Sequence, residues 1–379
     1  MAGTIATVTM PKWGLTMTEG MVAKWLVAPG SVVRAGDEIM EIETTKITNV
    51  FEAPSGGTLR RQVVPEGATV PVGGLLAVLA EGDVSESEID AFIEKFQAEF
   101  VPPADEEGEA SGGPALIEVG GRRLRYLRLG PPQGELGEGV PILFLHGFGA
   151  DLNTWMFNQP ALSERQATVA LDLPGHGGSS KEVASGDAAA LMAAVTDFMA
   201  AAAIDRAHLV GHSLGGALAL GLARAEPGRV ASLTLIAPAG LGPDINMAFI
   251  DGFIRAGRRR ETKEVLELLV ADHGAISRAM IDDVLKYKRL DGVTAALQAI
   301  AAAAFSGGRQ RIEMRDALAA ATMPRQVIWG RADRIIPAAH AEGLPADVAI
   351  HRLDGAGHLP HMEKSGDVNR LISNLVSAA

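Results

Sequence analysis

A five-residue stretch, Gly211-His212-Ser213-Leu214-Gly215, constrains the fold of this chain more than any other feature of its sequence. It follows the apolar pair Leu209 and Val210 and precedes a run of small residues, 216–225, that is typical of a helix. A serine at a strand-to-helix turn takes strained backbone angles, and flanking glycines remove the β-carbons that would collide as strand and helix approach. The stretch therefore predicts a nucleophile elbow with Ser213 as the candidate nucleophile.

Apolar runs recur on both sides of this turn. They lie at residues 116–119, 124–129, 142–145, 168–171, 207–210, 233–236, 326–329 and 348–353. Because helix-like segments alternate with these runs after the third, the pattern predicts a doubly wound, mostly parallel sheet. The alternation stops over residues 241–316, where alanine-rich or charged helical stretches predict a helical cap.

Four further motifs follow the predicted strands in a fixed order. His146-Gly147-Phe148-Gly149 follows the third strand, Asp172-Leu173-Pro174-Gly175-His176-Gly177 the fourth, Gly330-Arg331-Ala332-Asp333 the seventh and Gly357-His358 the eighth. In this order, residues 115–379 resemble the α/β-hydrolase family. The resemblance implies Ser213 as nucleophile, His358 as general base and Asp333 as the carboxylate that orients the imidazole. It also implies an oxyanion hole formed by the backbone N–H groups of Phe148 and Leu214.

The remaining histidines receive other interpretations. The side chain of His212, inside the elbow, is expected to point away from Ser213. His146 and His176 are expected to hold loop backbone, and His361 could shape the site near His358. The histidines expected at the surface are His273, His340 and His351.

Residues 1–80 contain an internal repeat with an offset of 37 positions. The shift places Gly20 on Gly57, Val22 on Leu59, Gly30 on Gly67, Gly36 on Gly73 and Ile39 on Leu76. Short β-branched runs between matching glycine turns predict a small all-β sandwich or barrel of two sheets with a pseudo-twofold axis. Lys46 lies beyond the matched glycines, between strands expected at 39–43 and 50–52. We expect it at an exposed hairpin tip.

Two stretches of this first segment resemble a lipoyl domain. Residues 10–20 match the opening of that family, and Glu43-Thr44-Thr45-Lys46 matches its attachment hairpin. The resemblance implies covalent lipoate on Lys46, added by a lipoate ligase. A biotin carrier would have methionine on both sides of the lysine, whereas Thr45 and Ile47 flank it here. Many lipoyl domains have Asp-Lys-Ala at this tip, and a plain surface lysine on a turn is the alternative.

Residues 81–114 predict a helix followed by a linker. Ser85 and Glu88 form a capping box, and apolar residues recur at helical spacing at Ile89, Phe92, Ile93, Phe96 and Phe100. This stripe is expected to pack on one of the two domains in preference to a partner. Residues 102–114, rich in proline, glycine and acidic residues, offer no apolar side chain to bury beyond alanine and predict a mobile linker between domains at 1–80 and 115–379.

Charge and cysteine content exclude several functions. The first 100 residues carry 7 basic and 14 acidic side chains, and residues 101–114 add four acidic ones. This imbalance argues against nucleic-acid or membrane-surface partners. The chain has no cysteine, which rules out disulfides, thiolate metal sites and a cysteine nucleophile. We expect a cytoplasmic homo-oligomer without a metal.

Taken together, the two segments resemble the dihydrolipoamide acetyltransferase family of acetoin dehydrogenase complexes. The resemblance implies transfer of an acetyl group from the dihydrolipoyl group of Lys46 to coenzyme A through Ser213, in acetoin catabolism. It also implies two partners: a thiamine-diphosphate-dependent enzyme that cleaves acetoin, and the flavin enzyme dihydrolipoyl dehydrogenase.

Two departures from the wider acyltransferase group limit this resemblance. The usual His-x-x-x-Asp-Gly signature is missing, because His351-Arg352-Leu353-Asp354-Gly355 is one residue too short. No separate peripheral-subunit-binding module is evident, so docking of the partners is unassigned. Two alternatives stay open: a serine hydrolase or thioesterase in which water attacks the acyl-serine, and a non-catalytic lipoyl carrier or scaffold. In the cap, Arg258-Arg259-Arg260 could meet phosphates of coenzyme A or form a solvated helix face.

Overall fold

The computed structural model describes residues 4–11, 17, 19–44, 48–100, 113–131 and 139–379. Contacts between residues separate the chain into an N-terminal unit, residues 1–111 with 277–280, and a C-terminal unit, residues 112–276 with 281–379. None of the helices in the described ranges is long and apolar enough to cross a membrane.

The sequence repeat of the N-terminal unit appears as two four-stranded antiparallel sheets. Its strands are β1 Thr4–Thr9, β2 Glu19–Trp25, β3 Val32–Val33, β4 Glu38–Glu43, β5 Thr48–Glu52, β6 Gly57–Gln62, β7 Thr69–Pro71 and β8 Leu75–Glu81. One sheet has the order β1-β8-β6-β3 and the other the order β5-β4-β2-β7. Exchanging β1 with β5, β2 with β6, β3 with β7 and β4 with β8 converts one order into the other. The predicted two-sheet fold with a pseudo-twofold axis is confirmed.

Equivalent hydrogen bonds hold the two halves together. The amide of Gly30 donates to the carbonyl of Leu59, and the amide of Gly67 donates to that of Val22, both at 2.7 Å. The 37-residue shift places the donor Gly30 on the donor Gly67 and the acceptor Val22 on the acceptor Leu59, so the two bonds are equivalent. The φ angles of Gly30 and Gly67 are 91° and 81°, a region in which an L side chain is strained. The repeated glycines are therefore needed for the repeated turns.

The helix predicted after this sandwich packs on the N-terminal unit. Helix α1, Glu86–Glu99, begins with the predicted capping box, in which Ser85 and Glu88 bond each other's backbone amides. Ile89 is fully buried in a cluster with Leu75 and Val78 of β8. The apolar stripe thus extends this unit beyond the boundary expected at residue 80. Most of the predicted linker, residues 102–112, lies outside the described residues.

The predicted attachment lysine lies between two paired strands. Strands β4 and β5 are antiparallel, with Glu43 opposite Thr48 at the end of the ladder. Thr45, Lys46 and Ile47 join these strands along the chain and lie outside the described residues. The exposed position of Lys46 therefore stays a prediction.

An eight-stranded sheet forms the centre of the C-terminal unit. The strands of this unit are β9 Ala115–Val119, β10 Arg122–Leu129, β11 Ile142–Leu145, β12 Thr168–Leu171, β13 Ala207–His212, β14 Val230–Ile236, β15 Phe305–Ser306, β16 Arg309–Gln310, β17 Arg325–Gly330 and β18 Ala349–Leu353. The order of the sheet is β18-β17-β14-β13-β11-β12-β10-β9, with β15 and β16 in a separate hairpin. Only the pairs β9–β10 and β10–β12 are antiparallel in this sheet, so the predicted mostly parallel sheet is confirmed.

Helices cover the sheet and form the cap. They are α2 Gln159–Ser163, α3 Ala188–Ala201, α4 Leu214–Ala225, α5 Met247–Arg255, α6 Arg259–Leu266, α7 Arg278–Lys288, α8 Val293–Ala304, α9 Arg315–Ala320, α10 Pro360–Glu363 and α11 Ser365–Ser377. Helices α3, α4 and α9 pack together, and α2, α10 and α11 form a second group. Helices α5 to α8 lie in the range predicted as a cap and are called the cap helices below. Helix α9, which begins at the end of that range, packs on α4 instead.

The strand order reverses direction next to the elbow. Strands β11 and β13 are neighbours, but the chain leaves β11 for β12 on one side and returns to β13 on the other. In sheets of this kind, the crevice at the carboxyl ends of such strands is where ligands bind. Phe148 follows β11 and Ser213 follows β13, so both lie at this crevice.

Candidate active site

Ser213 occupies the strained turn that its sequence predicts. It joins β13 to α4 with φ 51° and ψ −115°, and it is 7% exposed. The turn is fixed by main-chain bonds: the amide of Ser213 donates to Ile236, and its carbonyl accepts from Gly216 and Ala239, at 2.9–3.0 Å. Such backbone angles cost roughly 1–3 kcal/mol and persist where surrounding structure enforces them.

The glycines of the elbow are required by close backbone approach. A β-carbon on Gly215 would lie 2.1 Å from the carbonyl oxygen of Leu145, and one on Gly211 would lie 2.4 Å from that of Gly215. These contacts are with main-chain atoms of β11 and α4, which cannot move aside cheaply. Small residues here let α4 begin directly beneath the serine.

Asp333 and His358 are joined by a buried hydrogen bond. His358 Nδ1 lies 2.8 Å from Asp333 Oδ2, and both side chains are almost fully buried. The same carboxylate accepts from the indole of Trp329 at 2.9 Å and from the amides of Ile335 and Ile336 at 2.8 and 3.0 Å. Four donors fix the carboxylate in place. Because the Asp333 carboxylate binds Nδ1 of His358, Nε2 is the nitrogen of that ring that can exchange a proton.

His212 connects the elbow to His358. Its Nε2 donates to the main-chain carbonyl of His358 at 2.8 Å, and the two ring centroids are 4.7 Å apart. Within the described ranges, no hydrogen bond joins Ser213 Oγ to His358. Catalytic hydrogen bonds are often long without substrate and shorten when it binds. The structure thus brings the three predicted triad residues to one crevice, with the Asp333–His358 bond formed.

The loop after β11 lies against the elbow. A β-carbon on Gly147 would meet Ser213 Cβ at 3.1 Å and His212 Nδ1 at 2.8 Å. In the part of the chain that the structure describes, the amides of Phe148 and Leu214 donate to no protein acceptor. Two unpaired N–H groups beside a candidate nucleophile are suited to a developing oxyanion.

Buried histidines support this loop from behind. His146 Nδ1–H donates to the carbonyl of Gly147 at 2.8 Å, and Nε2 accepts from the amide of Leu173 at 3.0 Å. Burial lowers the pKa of His146 to about 4 and that of His176 to about 3. Both rings are therefore neutral near pH 7. His146 uses both nitrogens for backbone, as a neutral imidazole can.

Other carboxylates and histidines have separate roles. Asp172 accepts from the amides of Leu152 and Gly178 at 2.7 Å and pairs with Arg125, so it fixes a loop. His273 is exposed and His351 is half-buried. The prediction that His340 lies at the surface is wrong. Its side chain is 7% exposed, because the short helical turn 338–341 folds the ring against Trp329 and the backbone at Gly242.

The cap contacts the loop after β11 through aromatic rings. The ring of Phe148 meets the edges of Phe253 in α5 and Phe305 after α8, with centroids 6.2 and 6.0 Å apart. Arg259 pairs with the half-buried Asp282, and Arg260 pairs with Glu264 at the surface. Two of the three consecutive arginines therefore already have carboxylate partners, in keeping with a solvated helix face.

Family models match both units of the chain. A model described as the alpha/beta hydrolase fold matches residues 140–365, and the biotin/lipoyl model, described as biotin-requiring enzyme, matches residues 6–79. The solved meta-cleavage product hydrolase from Pseudomonas fluorescens has a TM-score of 0.63 and 20% identity, covering 70% of this chain and 98% of its own. That likeness shows the fold of the C-terminal unit.

Two relatives match almost the whole chain. The dihydrolipoyllysine-residue acetyltransferase component of the acetoin cleaving system of Pseudomonas putida is 47% identical over 368 residues, covering 97% of each chain. Its counterpart from Cupriavidus necator is 45% identical over 371 residues, covering 97% of this chain and 96% of its own. This chain belongs to the dihydrolipoyllysine-residue acetyltransferase family.

Membership of this acetyltransferase family has three consequences. The chain is an enzyme, its cofactor is covalent lipoate, and its relatives are components of a larger enzyme system. Sequence reasoning found the lipoyl and hydrolase parts of this acetyltransferase, because both carry local motifs. The sequence did not predict the contact of His212 with His358 or any role for Glu363. These contacts join positions far apart in the sequence, and no local motif signals them.

Proposed function

We propose that this acetyltransferase moves an acetyl group from the dihydrolipoyl group of Lys46 to coenzyme A through Ser213, His358 and Asp333, in acetoin catabolism. The buried Asp333–His358 bond beside the strained Ser213 carries this proposal. Two unpaired amides next to the serine give it further support, since acyl transfer needs donors for an oxyanion.

The chain offers the lysine that a lipoyl group requires. Lys46 joins β4 and β5, whose paired ends are Glu43 and Thr48, and its amine can form an amide. Attached there, lipoate supplies a dithiol that carries an acyl group as a thioester. The remaining chemistry belongs to residues of the C-terminal unit.

The triad would act in two steps on an acyl thioester. Ser213 Oγ attacks the carbonyl carbon while His358 Nε2 takes the hydroxyl proton, and the amides of Phe148 and Leu214 bind the oxyanion. The carbon–sulfur bond breaks, and the departing thiolate takes the proton from His358. Coenzyme A then attacks acyl-Ser213 with its thiol, whose proton passes through His358 back to Ser213 Oγ. Asp333 holds the imidazole through Nδ1 in both steps.

The proposed partners supply and regenerate the carrier. They are a thiamine-diphosphate-dependent enzyme that cleaves acetoin and loads the carrier, dihydrolipoyl dehydrogenase that reoxidises the dithiol, and a lipoate ligase. We propose that the chain acts as a homo-oligomer in the cytoplasm, where a protein without cysteine suits the reducing conditions.

A product assay tests the proposal against its rivals. Purified protein is mixed with S-acetyl-dihydrolipoamide, with and without coenzyme A, and acetyl-coenzyme A and acetate are followed by mass. We expect acetyl-coenzyme A, lost in the variant Ser213→Ala. Acetate alone, unchanged by coenzyme A, would establish a hydrolase instead. Neither product would favour a carrier or scaffold.

A further inference from the structure

One cap segment, residues 267–272, bonds to both loops that carry Asp333 and His358. The amide of His358 donates to the carbonyl of Leu269 at 2.7 Å. Arg334, which follows Asp333, donates through its guanidinium to the carbonyl of Val270 at 3.1 Å and to that of Glu267. The positions of both loops are therefore tied to the cap.

Glu363 joins this cap segment to the His358 loop. Its Oε2 accepts from the amide of Gly357 at 2.7 Å, and its Oε1 accepts from the amide of Ala271 at 2.6 Å. The carboxylate thus bridges the residue just before His358 and the cap. It is half-buried, and a carboxylate shielded from water is stabilised by such donors.

The two backbones meet without space for a side chain. A β-carbon on Gly357 would lie 2.7 Å from the carbonyl oxygen of Leu269 and 2.8 Å from the carbonyl carbon of Val270. Small changes in the cap segment are therefore passed directly to the chain at His358. The Glu363 carboxylate accepts hydrogen bonds from both sides of this contact, at Gly357 and at Ala271.

We propose that Glu363 is a positioning residue for His358. By holding Gly357 against the cap segment, Glu363 sets the direction of the imidazole toward Ser213. It contacts neither substrate nor the reacting atoms. This role rests on the proposed function, because it assumes that His358 activates Ser213. A displacement of about 1 Å in such a site can reduce the rate by roughly 100-fold.

The test uses Glu363→Gln in the full-length protein. Glutamine keeps the volume, but its amide can accept from only one of the two N–H groups and presents donors to the other. The readouts are the labelling rate of Ser213 by a small fluorophosphonate and kcat and KM for a small acetate ester, well below the unfolding temperature. Glu264→Gln is the matched control, since Glu264 pairs with Arg260 at the surface.

A positioning role makes a specific prediction for combined variants. Glu363→Gln lowers the labelling rate and kcat by roughly 10- to 100-fold with little change in KM. Added to His358→Ala, it causes no further loss, since Glu363 acts through His358. Glu363→Asp, which keeps the charge but is too short to reach both amides, gives the same pattern and serves if the glutamine variant does not fold.

Three results would overturn this role. The first is a labelling rate in Glu363→Gln within twofold of that of the parent protein. The second is an equal fractional loss of labelling rate when Glu363→Gln is made in the parent protein and in His358→Ala. The third is a loss of labelling rate in Glu264→Gln that matches the loss in Glu363→Gln. Each leaves the serine chemistry intact. A parent protein that Ser213-directed reagents do not label at all would contradict the proposed function, and with it any positioning of His358.

Discussion

His212 Nε2 donates a 2.8 Å hydrogen bond to the main-chain carbonyl of His358, across 146 positions of sequence. The His212 ring also lies 4.6 Å from that of His361, so it fills the space behind the candidate base. Burial holds its pKa well below the ordinary value for histidine, so it is neutral. A neutral ring with a protonated Nε2 suits a structural donor to His358.

Replacing His212 separates this donor role from simple packing. We expect His212→Ala to lower the free energy of unfolding by about 2–4 kcal/mol, because it leaves a cavity and an unsatisfied carbonyl. Ester hydrolysis should fall roughly 10-fold or more as His358 shifts. His212→Gln keeps a donor and should retain most activity. Urea unfolding and steady-state kinetics measure both, and parent-like values for His212→Ala would contradict the role.

Buried histidines predict that the protein loses stability in mild acid. Burial lowers the pKa of four of them, His146 and His208 to about 4 and His176 and His361 to about 3. Below the ordinary value of 6.5, the unfolded chain therefore binds more protons than the folded chain. Their contribution to stability is complete above pH 6.5 and falls as the pH drops, toward pH 4 for His146 and His208 and toward pH 3 for His176 and His361, by up to about 1.4 kcal/mol per pH unit for each group. Asp151 acts in the opposite direction, because burial raises its pKa to about 6 and the folded chain therefore binds its proton more tightly than the unfolded chain. It offsets the contribution of about one histidine.

Unfolding in urea at pH 7 and pH 5 checks this sign. His208→Gln should reduce the pH dependence by up to one proton, and it should leave activity intact because His208 lies at the opposite end of β13 from Ser213. Equal or greater stability at pH 5 than at pH 7 would show that the histidines are not neutral in the folded protein.

The repeat of the N-terminal unit predicts that alanine substitutions at equivalent glycines lower the free energy of unfolding by equal amounts. Among the residues that the structure describes, no atom lies within 4 Å of a β-carbon added at Gly30 or Gly67. The loss of stability on substitution by alanine is therefore that of the positive φ angle alone. We expect about 1 kcal/mol at each site, and less for asparagine, which adopts these angles more readily. Hydrogen exchange of strand amides in this unit measures both. Costs that differ by several-fold would contradict the equivalence of the two turns.

Separate roles for the two units can be tested at Lys46. Lys46→Arg keeps the positive charge but cannot accept lipoate, so turnover of acetoin by the assembled system should be lost. Hydrolysis of a small free ester at Ser213 should remain at the parent rate, since the candidate triad lies in the other unit. Loss of both activities would show that the units do not act separately.

Sequence predicted those parts of the molecule that depend on neighbouring residues. The strands around Ser213 follow from apolar runs and glycines, and the two-sheet unit follows from the spacing of its repeat. The contacts of His212 and Glu363 were not predictable, because they join loops brought together only by the order of strands in the sheet. His340 was misplaced for the same reason. It was expected at the surface, whereas Trp329 and the backbone at Gly242 enclose it.

The most direct test of the account is detection of acetyl-Ser213. Protein carrying Lys46→Arg is mixed with S-acetyl-dihydrolipoamide, quenched rapidly, digested and analysed by mass spectrometry. We predict an acetyl group on the peptide that contains Ser213, which disappears on addition of coenzyme A as acetyl-coenzyme A forms at a matching rate. Formation of acetyl-coenzyme A without acetyl-Ser213, and undiminished in Ser213→Ala, would contradict the account.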